Sequence, residues 1–420
     1  MNFRSPPSRA AALVALTLAL AAGTARAAPD ERLLDAAKKA QPAVIETLKT
    51  LVAIESGSRD LEGLAKMADV VEQRLRALGM RTERRKSTAD PGADIVVGTL
   101  TGSGRQRVML QGHTDTVYPK GILQSQPMRQ DGNRLYGPGI ADDKGGIATI
   151  LHGLKILLDS GWRDFATLTV LFNPDEEIGS PGSGETIATL GEQHDTVLSF
   201  EPTGAKDVVK AESVLLGAAG AARVVMEVKG RSSHAGAAPD QGRNAALELA
   251  HQIVQTRDIA KSIPGAQLNW TSVSTNNAFN QIPETATAVA DVRSLRPDAD
   301  LEVLAALRAR ATASPLVPDT RVTFEILNRR PAYLAGAKGK ALAELAQSIY
   351  KEMDRPLALV PMTGGGTDAG FAARSGKPAV LESLGLPGWG YHARDEYIEI
   401  DAIVPRLYLV TRMLVELGKR

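Results

Sequence analysis

Eight acidic and histidine side chains stand after short apolar runs or at glycine turns, where strand ends are expected. They are His113, Asp115, Asp142, Asp143, Glu176, Glu177, Glu201 and His392. In an open α/β sheet, the carboxyl ends of parallel strands line one crevice, so these side chains can converge although they are far apart in sequence. Gathered there, the carboxylates repel one another unless cations hold them together. Imidazole and oxygen donors without sulfur suit Zn²⁺, with Co²⁺ or Mn²⁺ as substitutes.

Taken singly, each of these residues has an ordinary structural use. Asp142 or Asp143 can cap the helix that follows, and the acids at residues 175–177 can form a solvated turn. Asp115 stands two residues beyond His113, so its carboxylate can accept a hydrogen bond from the imidazole and fix its tautomer. The repetition of such groups at successive strand ends favours a metal centre over these separate uses.

The composition excludes several other classes of function. The chain has 420 residues, 49 Lys and Arg against 48 Asp and Glu, and no cysteine. The absence of cysteine excludes a disulfide scaffold, a thiolate metal site and a cysteine nucleophile. Balanced charge and an aromatic content of only 4% argue against nucleic-acid binding. Gly137 and Gly139 resemble the start of a dinucleotide loop, but Asp142 takes the third glycine position, where its carboxylate would repel a pyrophosphate.

Residues 1–27 are a predicted secretory signal peptide. Arg4 and Arg9 precede an uncharged run at residues 10–22, and small residues before and at Ala27 provide a cleavage site. The run is too short to span a bilayer as a helix. We therefore expect a periplasmic or secreted protein that is free of the membrane after cleavage.

The apolar pattern predicts an α/β fold with an inserted domain. Helical and strand-like runs alternate along residues 28–214 and again along residues 328–420, which is typical of an open, mostly parallel sheet covered by helices. Residues 215–327 instead contain longer alternating runs, which predict a smaller α+β insert with an antiparallel sheet. The individual helices are predicted at residues 33–54, 61–78, 144–158, 244–256, 301–311, 338–351 and 402–417.

Six ordered motifs together resemble the M20 metallopeptidases, and among them the glutamate carboxypeptidases of the carboxypeptidase G2 type. The motifs are His113-Thr114-Asp115, Gly-Ile-Ala-Asp-Asp-Lys-Gly-Gly at residues 139–146, Asp-Glu-Glu-Ile-Gly-Ser at residues 175–180, Glu201-Pro202, Ser-His-Ala-Gly at residues 233–236 and Gly-Gly-Gly-Thr-Asp at residues 364–368. The resemblance covers essentially the whole mature chain. It implies a zinc exopeptidase fold in which the insert is a dimerisation domain.

The resemblance implies two zinc ions per subunit. The implied metal ligands are His113, Asp142, Glu177, Glu201 and His392. Asp142 would bridge the two ions, and the peptide bond that joins it to Asp143 is implied to be cis. Two cations held close together can acidify water and clamp the attacking and leaving oxygens. Glu176 is the implied general base because it precedes a ligand directly and can stay near the ions without binding them.

The resemblance also implies that the active site is shared between subunits. His234 lies in the insert and, from its spacing alone, is a surface-loop histidine. In the M20 family the equivalent histidine reaches the active site of the opposite subunit and stabilises the oxyanion. The implied assembly is therefore a homodimer whose isolated subunits are catalytically incomplete.

The predicted substrate carries a free C-terminal carboxylate. Arg293 is the first candidate to bind it, because a guanidinium binds a carboxylate bidentately. Further positions that match the substrate pocket of the G2-type enzymes are Asn280, Arg330, Thr363, Gly364, Gly365 and Gly366. Residues 215–220 depart from that pattern, since they carry no hydroxyl group where the G2-type enzymes have small hydroxyl-bearing residues.

The expected activity is hydrolysis of the amide or peptide bond to a C-terminal amino acid, with glutamate as the expected residue, as in folates or N-acyl glutamates. A dipeptidase or N-acyl-amino-acid deacylase of other specificity is the alternative with the same chemistry. A metal-dependent periplasmic binding protein is the alternative from another class. Glu176 argues against it, because a binding protein does not need an unliganded base beside its metals.

Overall fold

The computed structural model describes residues 28–89, 92–275 and 277–420. The predicted signal peptide at residues 1–27 lies outside the described residues, and export stays a prediction. Within the described ranges, no helix combines the length and the apolar character needed to cross a membrane.

The first chain segment alternates helices and strands. In chain order they are α1 (Glu31–Val52), α2 (Leu61–Ala77), β1 (Arg81–Lys86), β2 (Asp94–Thr101), β3 (Arg107–His113), α3 (Ile122–Ser125), β4 (Arg129–Asp131), β5 (Arg134–Tyr136), α4 (Lys144–Asp159), β6 (Thr167–Asn173), α5 (Gly184–Glu192), β7 (Thr196–Ser199), β8 (Thr203–Gly204), α6 (Lys206–Val209), β9 (Ser213–Leu215) and β10 (Gly217–Ala218). Asp30 and Asp60 cap α1 and α2 by accepting backbone N–H groups of the first turn.

The middle of the chain forms a separate antiparallel sheet. Its elements are β11 (Gly220–Lys229), β12 (Ser233–His234), α7 (Ala245–Thr256), β13 (Ala266–Ser274), β14 (Gln281–Ile282), β15 (Thr285–Ser294), α8 (Ala299–Ala313) and β16 (Arg321–Arg330). The four long strands pair in the order β13-β15-β11-β16, here called the insert sheet. Val224, Leu249 and Leu307 belong to the apolar core that α7 and α8 form with the insert sheet.

The last segment of the chain pairs with strands of the first segment. Its elements are β17 (Tyr333–Leu334), α9 (Ala337–Glu352), β18 (Ala358–Val360), α10 (Ala369–Ala372), β19 (Ala379–Leu381), β20 (Pro387–Trp389), β21 (Tyr397–Glu399) and α11 (Ile403–Gly418). β17 pairs with β10, and β18 pairs with β9. The chain therefore enters the insert sheet near residue 220 and leaves it near residue 330. The predicted boundaries at 215 and 327 lie within a few residues of these crossings, and the division into domains stays a prediction.

The central sheet has the strand order β1-β2-β6-β3-β7-β19. β6, β3, β7 and β19 are parallel, which agrees with the predicted fold class. At the other edge, β2 runs antiparallel to both β1 and β6. Helices α1, α4 and α11 pack together in the largest apolar core. Because β6, β3 and β7 run in one direction, their carboxyl ends lie side by side.

A second sheet, in the order β4-β5-β21-β20-β8, lies beside this edge. β20 and β21 are antiparallel, and the loop that joins them contains His392. β20 also pairs with β8, which begins two residues after Glu201. This small sheet therefore brings the C-terminal histidine to the strand ends of the central sheet.

Candidate metal and active site

Three neighbouring strands present four of the predicted site residues. His113 is the last residue of β3 and pairs with Asn173, the last residue of β6. Glu176 and Glu177 follow in a 3₁₀ turn after β6. Glu201 lies two residues beyond the end of β7. Parallel pairing at matched register thus gathers side chains that are nearly ninety positions apart in the chain.

Asp142 enters the cluster from the loop before α4. The peptide bond between Asp142 and Asp143 is cis, as the resemblance implied. Asp143 caps α4 by accepting the Gly146 N–H at 3.1 Å, and it also accepts the backbone N–H of His113 at 3.2 Å. The two adjacent acids therefore have separate tasks: Asp143 joins the helix to β3, and Asp142 faces the cluster.

The two carboxylate oxygens of Asp142 face different histidines. Oδ1 lies 2.9 Å from His113 Nε2, and Oδ2 lies 3.3 Å from His392 Nε2. His113 Nε2 is also 3.7 Å from Glu201 Oε2, and His392 Nε2 is 3.0 Å from Glu177 Oε2. The donor atoms thus form two groups that share Asp142.

Burial and like charge make the bare cluster unfavourable. Burial raises the pKa of Glu176 and of Glu201, and neighbouring carboxylates add to the shift. Burial and the charge of Asp142 raise the pKa of Glu177 to about 7. Hydrogen bonds to Asp142 and Glu177 raise the pKa of His392 to about 10. The cluster therefore lacks positive charge, which a bound cation would supply.

The donor set fits a divalent metal ion. Donor atoms of His113, Glu176 and Glu201 lie within 4.8 Å of one another, and so do those of His113, Asp142 and Glu177. All are nitrogen or oxygen donors, which agrees with the preference of zinc and related ions for imidazole and carboxylate. The five predicted ligands, with Glu176 beside them, meet in one place.

Asp115 holds residues of the cluster in place through hydrogen bonds. Its carboxylate accepts the backbone N–H groups of Glu176 at 3.0 Å and Glu177 at 3.1 Å, and the Ser58 hydroxyl at 2.7 Å. Asp115 Oδ1 also lies 3.3 Å from Nδ1 of His113. Asp115 therefore orients one histidine and fixes the turn that carries both glutamates.

Glu396 is a functional candidate to which the sequence analysis gave no role. Its buried carboxylate accepts the backbone N–H groups of Gly139 at 2.8 Å, Ala141 at 2.8 Å and Asp142 at 3.0 Å, and the Tyr118 hydroxyl at 2.7 Å. It thereby fixes the loop that presents Asp142. The available signal was its position in the loop of His392, but its partners lie about 255 residues away in sequence, and spacing does not reveal them.

A cleft of about 810 Å³ opens beside the cluster. Its lining includes residues of the insert sheet and of loops that follow strands of the central sheet. Among the predicted substrate residues, Arg293, Arg330, Thr363, Gly365 and Gly366 line it, together with Asp142, Glu176, Glu177, Glu201 and His392. Part of the wall is apolar and includes Val209, Leu215, Ala358, Val360 and Trp389. Gly364 and Asn280 are not among the described residues that line this cleft.

The two arginines of the cleft have different partners. Arg293 forms a bidentate ion pair with Asp291, at 2.9 and 3.1 Å, and remains half-exposed. Arg330 is buried, and its Nη1 lies 2.8 Å from Glu176 Oε1. Both arginines therefore pair with a carboxylate of their own chain, Arg293 at a half-exposed position of the cleft and Arg330 at a buried one.

His234 and Asn280 lie together, outside the cleft of their own chain. β12 and β14 pair His234 with Gln281, and the Ala235 N–H donates to the Asn280 carbonyl at 2.8 Å. The backbone N–H groups of Gly236 and Ala237 donate to Nδ1 of His234, each at 3.1 Å. Nδ1 is therefore an acceptor, and in the neutral imidazole the proton is on Nε2 of this exposed side chain.

The fold and the cluster together define a metal-dependent hydrolase: parallel strand ends and two neighbouring loops carry two imidazoles and four carboxylates around an open cleft. The chain belongs to peptidase family M20/M25/M40, whose profile matches residues 109–416. It is 45% identical over 412 residues to Carboxypeptidase G2 of Pseudomonas sp. (strain RS-16), with 98% of each chain covered. It is also 30% identical over 328 residues to succinyl-diaminopimelate desuccinylase of Gluconobacter oxydans, covering 73% of this chain and 81% of the relative.

Solved structures share the fold at low sequence identity. Aminopeptidase PepT from Bacillus cereus superposes with a TM-score of 0.69 at 19% identity, covering 90% of this chain and 99% of that chain. The M20 family metallo-carboxypeptidase Sso-CP2 from Sulfolobus solfataricus superposes with a TM-score of 0.68 at 17% identity, with the same coverage of both chains. These structures confirm the predicted fold class.

Proposed function

We propose that this protein is an exported, homodimeric, dizinc carboxypeptidase that releases a C-terminal amino acid, glutamate, from an amide or peptide bond. The observation that carries the proposal is the sharing of Asp142 between two donor groups, with Glu176 beside them. The 45% identity to Carboxypeptidase G2 over nearly the whole chain supports the reaction and the glutamate preference.

Different residues of the cleft have different roles in hydrolysis. Zinc ions held by His113, Asp142, Glu177, Glu201 and His392 would polarise the scissile carbonyl and acidify water. Glu176 accepts a proton from the attacking water and returns it to the nitrogen that leaves. Arg293 is half-exposed at the cleft and holds the free C-terminal carboxylate of the substrate.

Homodimer formation would complete this site. His234 carries its proton on Nε2 and contacts none of the metal-site residues of its own chain among those described, so it is free to donate to an oxyanion in a partner. α7 exposes Leu247 and Val254, which are seven residues apart and share a helix face. Val273 is exposed on the edge strand β13. These features support an interface along the insert sheet.

The variant Glu176→Gln tests the proposed base. It should lower kcat by at least about 100-fold, since a general base typically contributes about 10² to 10⁴. Zinc content, measured by elemental analysis, should stay near the wild-type value. Glu185→Gln on the exposed face of α5 is the matched control and should leave kcat unchanged. Full activity of Glu176→Gln would remove this residue from the mechanism.

A deacylase or dipeptidase of other specificity is the second candidate. It is favoured by the apolar lining around Leu215 and Val360 and by the 30% identity to a succinyl-diaminopimelate desuccinylase. A panel of N-acyl amino acids that varies only the C-terminal residue separates the candidates. Glutamate should have the highest kcat/KM if the first proposal holds, and an apolar residue would favour the second.

A further inference from the structure

We infer that Phe279 of each subunit packs against the apolar wall of the partner's cleft when a substrate is bound, and that it thereby contributes to substrate affinity. The apolar wall consists of Val209, Leu215, Ala358, Val360 and Trp389. The inference rests on the proposed function, because it requires the homodimer and the delivery of His234 to a partner. It adds an apolar contact to the proton donor that the partner provides.

Phe279 is not packed against its own chain. It is 99% exposed, and the next most exposed large apolar residue in the described part of the chain is Val273, at 61%. A phenylalanine side chain that stays in water forgoes the free energy that its burial would provide. Aromatic side chains are enriched where protein surfaces meet, so a second molecule is the expected cover for this one. Val273 lies on the proposed dimer interface, six residues before Phe279.

A closed turn presents Phe279 to its surroundings. The Gln281 N–H donates to the Ala278 carbonyl at 3.1 Å, so Phe279 and Asn280 are the two central residues of a β-turn. The Asn277 side chain donates from Nδ2 to the carbonyls of Ala278 and Gln281, each at 3.0 Å. These hydrogen bonds fix the backbone before any contact forms, so less conformational entropy is lost when Phe279 is covered.

The same turn continues into the pair of short strands that carries His234. Gln281 of β14 pairs with His234 of β12, and the Asn280 carbonyl accepts the Ala235 N–H at 2.8 Å. Phe279 precedes Gln281 by two residues, so its Cα lies within about 13 Å of the Cα of His234. An arrangement that brings His234 to the metal ligands of a partner therefore brings Phe279 into the same cleft.

The apolar wall begins close to the predicted metal ligands. The ring centroids of Trp389 and Tyr391 lie 5.8 Å apart, and those of Tyr391 and His392 lie 6.4 Å apart. Trp389 is 41% exposed, so the wall offers apolar surface that its own chain leaves uncovered. An edge-to-face or offset contact with this indole suits a phenylalanine ring. The wall is therefore within reach of Phe279 when His234 stands beside the metal ligands.

Cysteine cross-linking tests the contact, because the chain has no cysteine of its own. Phe279→Cys combined with Trp389→Cys or with Val360→Cys, loaded with zinc and held in excess glutamate, should give covalent dimers with a short bismaleimide. A link within one chain gives no dimer band on a denaturing gel, so the band reports a contact between subunits. Phe279→Cys combined with Leu61→Cys, an exposed leucine outside the insert sheet, is the control pair and should give no dimer band.

Steady-state kinetics test the contribution to affinity. Phe279→Ala should raise KM about tenfold at unchanged kcat, because apolar burial stabilises the bound substrate and the transition state equally. Leu316→Ala, an exposed leucine between α8 and β16, is the matched control and should leave KM unchanged. His234→Ala should instead lower kcat, because an oxyanion donor acts in the transition state. Since Phe279 is exposed, its replacement should leave the melting temperature unchanged.

Three results would overturn the inference. Covalent dimers of Phe279→Cys alone would show that the two Phe279 side chains meet each other, and the absence of a dimer band from both test pairs would place Phe279 outside the partner's cleft. A KM for Phe279→Ala within about 3-fold of wild type would show that this side chain adds nothing to substrate affinity. Failure of the proposed function looks different, because wild-type protein would then sediment as a monomer or be inactive on every N-acyl amino acid.

Discussion

Some carboxylates accept hydrogen bonds from the segments that carry the predicted metal ligands, and they determine how well each ligand is held in place. Glu396 is the clearest case, since it accepts three backbone N–H groups from the loop of Asp142. Burial raises its pKa to about 7, with the charge of Asp142 the next cause. A neutral amide in its place would have only one oxygen acceptor, and its NH₂ group would face backbone donors.

Glu396→Gln should therefore weaken metal binding without touching a metal ligand. Loss of such supporting partners typically costs about 10- to 100-fold in metal affinity. Competition titration with a coloured zinc chelator measures the change. Glu399→Gln is the matched control, because Glu399 accepts the Lys206 N–H away from the cluster. Equal affinities for Glu396→Gln and wild type would contradict the role given to Glu396.

At the scale of elements, the helices that cover the sheet contain a buried histidine. His152 of α4 faces Thr47 of α1, and its Nε2 lies 2.8 Å from the Thr47 hydroxyl. Burial lowers the pKa of His152 to about 4, and the charges of Arg74 and Lys155 contribute in the same direction. Between this value and the unfolded value near 6.5, the unfolded state binds more protons than the native state, so stability falls as pH falls.

His152→Gln should reduce the acid sensitivity of folding. Protonation of His152 in the unfolded state lowers the free energy of unfolding by about 2 kcal/mol between pH 7 and pH 5. The decrease over this pH range should therefore be about 2 kcal/mol smaller in the glutamine variant than in wild type. Denaturant midpoints measured at both pH values give the comparison. Thr47→Val removes the hydrogen bond but keeps the buried imidazole, so it should retain the wild-type pH dependence. If the stability of His152→Gln falls between pH 7 and pH 5 as much as that of wild type, the role given to His152 is wrong.

Most helices and strands could be predicted from the sequence because their apolar residues recur at a clear helical or strand spacing. The expected helix at residues 244–256 corresponds to α7, and the expected helix at 144–158 to α4. β13 and β16 were not foreseen, although Leu268 and Trp270 of β13 and Val322, Phe324 and Ile326 of β16 alternate and pack against the core of the insert. Each alternation is short and is interrupted by polar residues. The antiparallel edge of the central sheet was also missed, since β1 contains mostly charged residues.

The candidate site was foreseen through strand ends and motifs rather than through contacts. His113 ends a strand, and Glu176, Glu177 and Glu201 come within four residues of strand ends, so the topology of the sheet brings them together. Arg330 was expected in the substrate pocket, but its partner Glu176 could not be read from sequence because their contact spans 154 positions. This contact forms only because the chain comes back to the strand ends of the central sheet where it leaves the insert sheet.

At the scale of the whole molecule, catalysis should require two copies of the chain. The double variant Leu247→Asp with Val254→Asp places two charges on the exposed apolar face of α7 and should yield a monomer. Without His234 of a partner, kcat should fall by about 100- to 1000-fold, the usual effect of removing one oxyanion donor. Sedimentation velocity and kinetics measure both effects on the same sample.

The control for the dimer test changes an apolar residue elsewhere. Leu61→Asp alters an exposed leucine at the start of α2, outside the insert sheet, and should leave assembly and kcat as in wild type. A fully active monomer of the double variant would show that each cleft works alone.

Zinc stoichiometry shows whether the cluster holds two ions, as expected from two donor groups that share Asp142. Metal-free protein titrated with zinc in a calorimeter should bind two ions per chain, and Asp142→Asn should lose high-affinity binding at both positions. Binding of one ion or none by wild type, or an unchanged titration for Asp142→Asn, would contradict the account.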